Sequence, residues 1–352
     1  MGEIYLLDCT LRDGGYINDW DFGEDVLSGI LAGVERTGVE VMELGFLKNE
    51  PHKEGRAVFN TMAQVKEFIK KKKSGLQYAV MSELVNPVPL DRLERADGGG
   101  ADIIRMILWK TKRLPDGRVV DALEEGYEYC RGIVERGYRL CVQPVRVNQY
   151  SDEEFITLIR RFSVLEPMAF YVVDSWGTQN GEGVLHYMRL ADQHLPEKTV
   201  LGYHGHNNMM QALSVSQAVL KEGFKRTLMI DASVYGIGRG AGNLNLELIA
   251  KYLNEQYGKH YDLTAMLEIY EKYIKEIYRR ETWGYSIPYF LTASYNCNPN
   301  YARYLGSELK LEADCIRYVL THLPPEGRII YSKSEADFYV KKYCGGKWPV
   351  FG

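Results

Sequence analysis

The sequence predicts an α/β fold, namely a TIM (β/α)8 barrel with a C-terminal helical extension. Eight short runs rich in β-branched or aromatic residues recur in the first 257 residues, and a longer amphipathic stretch follows each run. The runs are almost continuously apolar, which is typical of parallel strands buried on both faces. Eight strand–helix units match the number in a TIM barrel. The predicted strands are residues 4–8, 39–45, 77–81, 102–108, 139–145, 169–174, 200–204 and 227–233.

Helical spacing of apolar residues is evident between several of these strands. The clearest predicted helices cover residues 25–36, 58–71, 121–136 and 211–221. After residue 257 the pattern is mostly helical and rich in tyrosine, with a break at 284–289 and a turn at Asn298-Pro299. We therefore expect a catalytic barrel at 1–257 and a mainly helical extension at 258–352.

Composition and charge exclude several classes of function. The 352 residues are 45% hydrophobic and 26% charged, which favours one large apolar core over disorder. The net charge is −4, and the basic run at 70–73 ends a predicted helix, where cations suit the helix dipole. We expect no nucleic-acid partner. No apolar stretch approaches roughly 18 residues and no secretion signal is evident, so we expect no membrane partner. The six cysteines lack metal or disulfide spacing, which favours a reduced, cytoplasmic setting.

Polar residues follow the first predicted strand, at the end of the barrel where TIM-barrel active sites lie. The segment DCTLRDGG, residues 8–15, contains two acids, one arginine and a pair of glycines. The glycines permit a tight turn, which leaves Arg12 and Asp13 at the mouth of the barrel.

Two histidines end the seventh predicted strand, in the segment YHGHNN. His204 and His206 are two residues apart, so on an extended strand their side chains point to the same side. This spacing allows two imidazoles to bind one metal ion. The eighth strand runs into a glycine-rich loop, 236–243, which ends in Asn243. Such a loop fits either an anion cradle or a tight wrap around a metal site.

These segments together supply a carboxylate, two imidazoles and a side-chain amide. The mixed nitrogen and oxygen set suits Mn2+, with Mg2+, Co2+ and Zn2+ as alternatives. The set contains no thiolate, which argues against a structural zinc site. Open coordination positions for a bidentate α-keto acid indicate Lewis-acid catalysis.

The strings DCTLRDGG, HGHNN and GIGRGAGNLNLE occur in this order within residues 3–257. They resemble the family of metal-dependent lyases and synthases that contains 4-hydroxy-2-oxovalerate aldolase, 3-hydroxy-3-methylglutaryl-CoA lyase and isopropylmalate synthase. The resemblance implies Asp13, His204 and His206 as metal ligands, with Asn243 as an extra ligand as in the lyase branch. It implies that Arg12 stabilises an enolate.

Other strings are most similar to the aldolase branch of that family. They are VDSWG at 173–177, DAS at 231–233 and the segment that contains Tyr289. This branch implies an aldolase that cleaves or forms a carbon–carbon bond between pyruvate, as its enolate, and an aldehyde. An aldehyde dehydrogenase that takes up the aldehyde, or a second copy in a homodimer, is the macromolecular partner that the resemblance implies.

One position departs from the aldolase branch. The aldolases carry a histidine three residues after the metal-binding aspartate as catalytic base, and here that residue is Tyr16. A phenol with an ordinary pKa of about 10 is a poor base near neutral pH. Tyr16 itself, His52 on the loop after the second strand, and Tyr289 are the candidates for this role.

Substrate-binding residues are expected around the same mouth. The candidates are Glu43, His52, Arg105 and Ser175, although Glu43 and Arg105 fit core ion pairs equally well. Trp176 and the loop at 47–56 are expected to shape the aldehyde pocket.

Two other functions stay open at this point. One is a Claisen-type synthase or lyase that acts on an acyl-CoA and an α-keto acid at the same metal site, which requires a coenzyme A cleft. The other is a catalytically weakened barrel that binds a keto acid or acts as a scaffold, a reading to which Tyr16 gives weight.

Overall fold

A computed structural model describes residues 2–113 and 118–345 and confirms the TIM barrel. Eight parallel strands pair in sequence order, and the pairing of the first two strands with each other and of the first with the eighth closes the ring. The strands are β1 (Ile4–Asp8), β2 (Val41–Leu47), β3 (Gln77–Glu83), β4 (Ile103–Leu108), β5 (Arg139–Pro144), β6 (Ala169–Asp174), β7 (Val200–Gly205) and β8 (Leu228–Ala232).

Seven of the eight strands are followed by an α-helix of seven or more residues on the outside of the barrel. These helices are Glu24–Thr37, Met62–Ile69, Leu123–Glu135, Asp152–Ser163, Gly181–His194, Ala212–Lys221 and Leu246–Tyr257. The expectation of a helix after every strand is wrong for β3, because residues 84–102 contain no helix. Pro87, Pro89 and the glycines at 98–100 disfavour helix in this connection.

Two predicted helices begin later than expected. Residues 58–71 start as a short strand, Val58–Phe59, that pairs with β2, and the helix begins after a capping box formed by Thr61 and Gln64. Residues 119–121 belong to a two-stranded hairpin with 111–113, so the next helix starts at Leu123.

The interior of the barrel is layered along its axis. Val41, Ile103 and Met229 belong to an apolar cluster inside the ring. Side chains two residues apart on a strand point the same way, so the next layer toward the mouth contains a charged residue on each of these strands. Those residues are Glu43, Arg105 and Asp231, which are all buried.

The C-terminal region is helical, as expected. Its helices, two of them π-helices, are Leu263–Ile269, Tyr270–Ile274, Lys275–Arg280, Ile287–Ser294, Ala302–Glu308, Ala313–His322, Pro325–Ile329 and Lys333–Tyr343. Leu263–Ile269 packs on Glu24–Thr37 so closely that a Cβ on Gly33 would lie 2.4 Å from Ile269 Cγ1.

The last part of this region has an apolar cluster of its own, between Leu291 and Val340. The division of the chain at residue 257 stays a prediction, and residues 346–352 of the predicted extension lie outside the described part. Within the described residues, no helix combines the length and the apolar character that a membrane crossing requires.

Candidate metal centre

The turn after β1 fixes the carboxylate of Asp13 at the mouth of the barrel. This side chain is 1% exposed. Its Oδ1 atom accepts the backbone N–H of Arg239 at 2.9 Å, and its Oδ2 atom accepts Nη1–H of Arg12. Burial raises the pKa of Asp13, but Arg12 and the two nearby histidines outweigh burial and hold this pKa well below its usual range. The group is therefore an ionised oxygen donor held in one place.

The end of β7 supplies two imidazole nitrogens on the same side. Nδ1 of His204 lies 3.0 Å from Oδ2 of Asp231, and Nδ1 of His206 lies 3.0 Å from the carbonyl oxygen of Arg239. An ionised carboxylate and a carbonyl only accept hydrogen bonds, so each Nδ1 donates a hydrogen bond and each Nε2 is the ring nitrogen available to a metal ion. Burial lowers the pKa of His206 to about 4 although the nearby Asp13 opposes this shift.

The three predicted ligands converge. His204 Nε2 is 3.8 Å from Asp13 Oδ2, and one donor atom from each of Asp13, His204 and His206 lies within 4.8 Å of the other two. Two imidazoles and one carboxylate form a donor set that divalent transition metals accept. The residues present therefore fit a divalent metal ion.

A fourth donor atom, the side-chain oxygen of Asn243, is available, and this residue is 1% exposed. Its Nδ2 atom donates to the carbonyl of Ile237 at 3.0 Å, whereas its Oδ1 atom is buried and has no hydrogen-bond partner. A buried amide oxygen without a partner is costly unless a ligand completes it. The glycine-rich loop passes so close to Asn243 and Asp13 that a Cβ on Gly238 would lie 2.2 Å from Asn243 Nδ2 and 2.6 Å from Asp13 Oδ1.

A buried network of alternating charges connects two of the ligands beneath the mouth. Asp13 binds Arg12, whose Nε atom donates to Glu43 Oε2 at 2.6 Å. Glu43 Oε2 is 2.8 Å from Arg105 Nη1, and Arg105 binds Asp231, which binds His204. The network contains three carboxylates and two guanidiniums, namely Asp13, Glu43, Asp231, Arg12 and Arg105. It therefore has one negative charge in excess. A bound cation would offset this excess.

A cavity of about 40 Å3 opens above the three donor atoms. Its polar lining consists of Arg12, Asp13, Tyr16, Glu83, Gln143, Ser175, His204, His206 and Arg239. Of the predicted residues, Arg12, Tyr16 and Ser175 thus lie together with the three ligands. Burial and the neighbouring Glu83 raise the pKa of Tyr16, so its phenol is protonated at neutral pH, which disfavours it among the three candidates for the catalytic base.

The other predicted residues lie elsewhere. Glu43 and Arg105 do not line the cavity, because both lie in the middle of their strands, one layer below the mouth, where they form the core ion pairs. His52 does not line the cavity either, since its Nδ1 atom lies 3.0 Å from the carbonyl of Val58 and its ring stacks on Phe59. Trp176 is buried, and the guanidinium carbon of Arg146 lies over its ring, 3.7 Å from the ring centre.

Sequence reasoning missed two residues of this centre. Asp231 orients His204, and an acid within the apolar run LMIDA of β8 was the available signal. Glu83 lies at the C-terminal end of β3, two residues beyond the strand end that the sequence predicts, and was therefore not considered.

A second cavity of about 420 Å3 lies between the barrel mouth and the C-terminal helices, and we call it the outer cavity. Tyr16 and Arg239 line both cavities. Tyr289, predicted as catalytic, lines the outer cavity and not the metal cavity. Burial raises the pKa of Tyr289, so it too is a neutral phenol at neutral pH.

Comparisons with known proteins find a matching family model and relatives of similar sequence. The sequence model of the family described as HMGL-like matches residues 3–272. The chain is 24% identical over 276 residues to a 4-hydroxy-2-oxovalerate aldolase of Bacillus thuringiensis, covering 77% of this chain and 76% of the relative. It is 23% identical over 266 residues to an oxaloacetate decarboxylase of Mycobacterium tuberculosis, covering 72% and 71%.

Among solved structures, the N-terminal domain of a candidate aldolase from Bacteroides vulgatus is similar, with a TM-score of 0.70 and 22% identity. The similarity covers 87% of this chain and 98% of that one. At this identity the likeness supports the barrel fold alone.

Proposed function

The chain belongs to the HMGL-like family, as its three motifs indicated, and from this premise we propose that it is a divalent-metal-dependent carbon–carbon lyase. The reaction is the reversible cleavage of a 4-hydroxy-2-oxo acid to pyruvate and an aldehyde. The observation that carries the proposal is the convergence of Asp13, His204 and His206 at the barrel mouth, beside Arg12. Relatives described as 4-hydroxy-2-oxovalerate aldolases support the substrate class.

The metal ion, most simply Mn2+, supplies Lewis-acid chemistry that polarises the 2-oxo acid when bound. Asp13, His204 and His206 would hold it, and Asn243 Oδ1 would be an additional donor. The protein holds these donors in place through Asp231, the Arg239 backbone and the buried charge network.

Arg12 is the group that offsets the negative charge of the enolate. Its Nε atom is bonded to Glu43 and its Nη1 atom to Asp13, and because Arg12 lines the cavity, the remaining Nη2 atom would donate to an oxygen of the substrate. A guanidinium held in this way is oriented before the charge develops, which is the arrangement that stabilises a transition state most.

Glu83 is the residue that we assign as general base. The cavity lining contains three carboxylate or imidazole groups that are assigned as ligands, Asp13, His204 and His206, and one further carboxylate, Glu83. Lys48 Nζ forms an ion pair with Glu83 Oε1 at 2.9 Å, so Oε2 is available for proton transfer. In cleavage Glu83 accepts the proton of the 4-hydroxyl group, and Tyr16 donates a hydrogen bond in the same cavity.

Replacement of Glu83 with glutamine is expected to lower kcat for cleavage by about 10²- to 10⁴-fold, because the amide cannot accept the proton. Metal content should be unchanged, since Glu83 is not a ligand. Formate should restore part of the activity of Glu83→Ala. Glu135→Gln, an exposed change on the helix Leu123–Glu135, is the matched control and should be neutral. Near wild-type turnover by Glu83→Gln would remove this residue from the mechanism.

Steady-state cleavage of 4-hydroxy-2-oxopentanoate before and after chelation tests the proposed function. We expect pyruvate and acetaldehyde in equal amounts, loss of activity with EDTA and recovery with Mn2+. Pyruvate release that EDTA leaves unchanged would contradict metal dependence. Oxaloacetate belongs in the same assay, because its decarboxylation gives the same enolate and one relative is described as an oxaloacetate decarboxylase. An acyl-CoA in place of the aldehyde tests the Claisen alternative.

A further inference from the structure

The outer cavity contains two guanidiniums from different parts of the fold. Arg239 comes from the loop after β8, whereas Arg303 comes from the C-terminal helix Ala302–Glu308. Polar side chains of Tyr289, Asn300 and Ser307 complete the wall opposite the barrel. The volume of about 420 Å3 is in the range of cavities that bind small organic ligands.

Basic side chains outnumber acidic ones in the lining of this cavity. The guanidinium of Arg239 has no ion pair within the described part of the chain, and its contacts are Asn300 Oδ1 at 3.4 Å and the ring of Tyr16. Arg303 has a weak pair, with Nε 3.9 Å from Glu308 Oε1. Glu281 is the one acid in the lining, against two arginines. Two guanidiniums that form only one weak ion pair between them, among the residues that the structure describes, favour an anionic ligand.

The outer cavity adjoins the metal cavity, because Tyr16 and Arg239 line both. The backbone of Arg239 bonds the ligands Asp13 and His206, while its side chain extends over Tyr16 into the outer cavity. The part of the outer cavity that adjoins the metal cavity is thus lined by Arg239, and Arg303 lines the same outer cavity. The aldehyde reactant is the one whose remote end varies, since the pyruvate unit is held at the metal centre.

We propose that the outer cavity binds the anionic end of an aldehyde that carries a carboxylate or a phosphate. This inference rests on the proposed function and names the class of its second substrate. In the condensation direction Glu83 takes a methyl proton from pyruvate, the new bond joins that carbon to the aldehyde carbon, and the aldehyde oxygen gains a proton. Arg239 and Arg303 hold the remote anion during this step.

Three acceptor aldehydes test the proposal with pyruvate and the metal-loaded full-length chain. Butanal is neutral, succinic semialdehyde carries a carboxylate, and glycolaldehyde phosphate carries a phosphate. We expect kcat/KM to be at least about 10-fold higher for one of the anionic aldehydes than for butanal, because charge-assisted bonds to guanidinium are among the strongest in proteins. The anionic aldehyde with the larger increase in kcat/KM over butanal identifies whether the cavity accepts a carboxylate or a phosphate. A preference for butanal would overturn the proposal.

Arginine variants assign the preference to the cavity. Arg303→Met should lower the ratio of anionic to neutral kcat/KM about 10-fold, and Arg239→Met should do the same. A ratio cancels general damage to the chemistry, so a merely structural effect would leave it unchanged. Arg303 is more than half exposed, so its replacement tests the proposal even where Arg239→Met fails to fold. Arg317→Met, an exposed change outside the cavity lining, is the matched control.

A separate measurement tests the proposed function without testing the choice of aldehyde. Deuterium exchange from solvent into pyruvate alone requires the metal centre and no aldehyde. If the wild type exchanges deuterium into pyruvate but Arg303→Met leaves the ratio of anionic to neutral kcat/KM unchanged, the proposal of an anionic aldehyde is overturned. The proposed lyase function would stand. No exchange in the metal-loaded wild type would contradict the proposed function itself.

Discussion

Arg12→Lys is expected to slow pyruvate enolisation by about 10²- to 10³-fold, the loss typical of removing one preorganised donor to a developing anion. The arginine uses two separate nitrogens for the buried carboxylates, Nε for Glu43 and Nη1 for Asp13, and it also lines the cavity. Lysine has one nitrogen and cannot hold both carboxylates and also reach the substrate. Single-turnover exchange of deuterium into pyruvate measures the effect without interference from product release.

An exposed arginine provides the comparison for this change. Arg36 pairs with Glu268 on the outside of the barrel, so Arg36→Lys should leave the exchange rate unchanged. Near wild-type exchange by Arg12→Lys, with metal bound, would contradict the role of Arg12 as the enolate-stabilising group.

Arg105→Met is expected to lower the free energy of unfolding by about 3–5 kcal/mol, because it leaves the buried carboxylates of Glu43 and Asp231 without their shared cation. Arg105 is fully buried and also lies 4.8 Å from the ring centre of Tyr171. Metal affinity should fall as well, since Asp231 orients His204. Urea unfolding of the apo and metal-loaded forms measures both effects.

Arg131→Met is the matched control for this experiment. Arg131 is about half exposed and pairs with Glu128 and Glu135 on one helix, so its loss should change stability by less than about 1 kcal/mol. Equal stability losses for Arg105→Met and Arg131→Met would contradict the view that the buried network supports the barrel.

The barrel and the core of the metal centre could be predicted because both depend on local sequence. Continuous apolar runs identify buried parallel strands, and the i, i+2 spacing of His204 and His206 fixes their common side. Asp13 lies in the turn that follows β1, which ends at Asp8, so its position at the mouth could be inferred from the strand end and the glycines after it.

Other features depend on packing that no local pattern encodes. The depth of Glu43 and Arg105 within the barrel follows from strand registry, which separates a cavity wall from the charged layer beneath it. Glu83 was missed because β3 extends two residues beyond its apolar run. The position of Tyr289 in the outer cavity depends on how the C-terminal helices pack on the barrel, which the sequence pattern does not specify.

Metal content combined with solvent deuterium exchange into pyruvate tests the central claim most directly. The account predicts one divalent ion per chain, exchange that EDTA abolishes and Mn2+ restores, and loss of both metal and exchange in His206→Ala. The contradictory result is a chain that binds stoichiometric metal at Asp13, His204 and His206 and yet exchanges no deuterium into pyruvate.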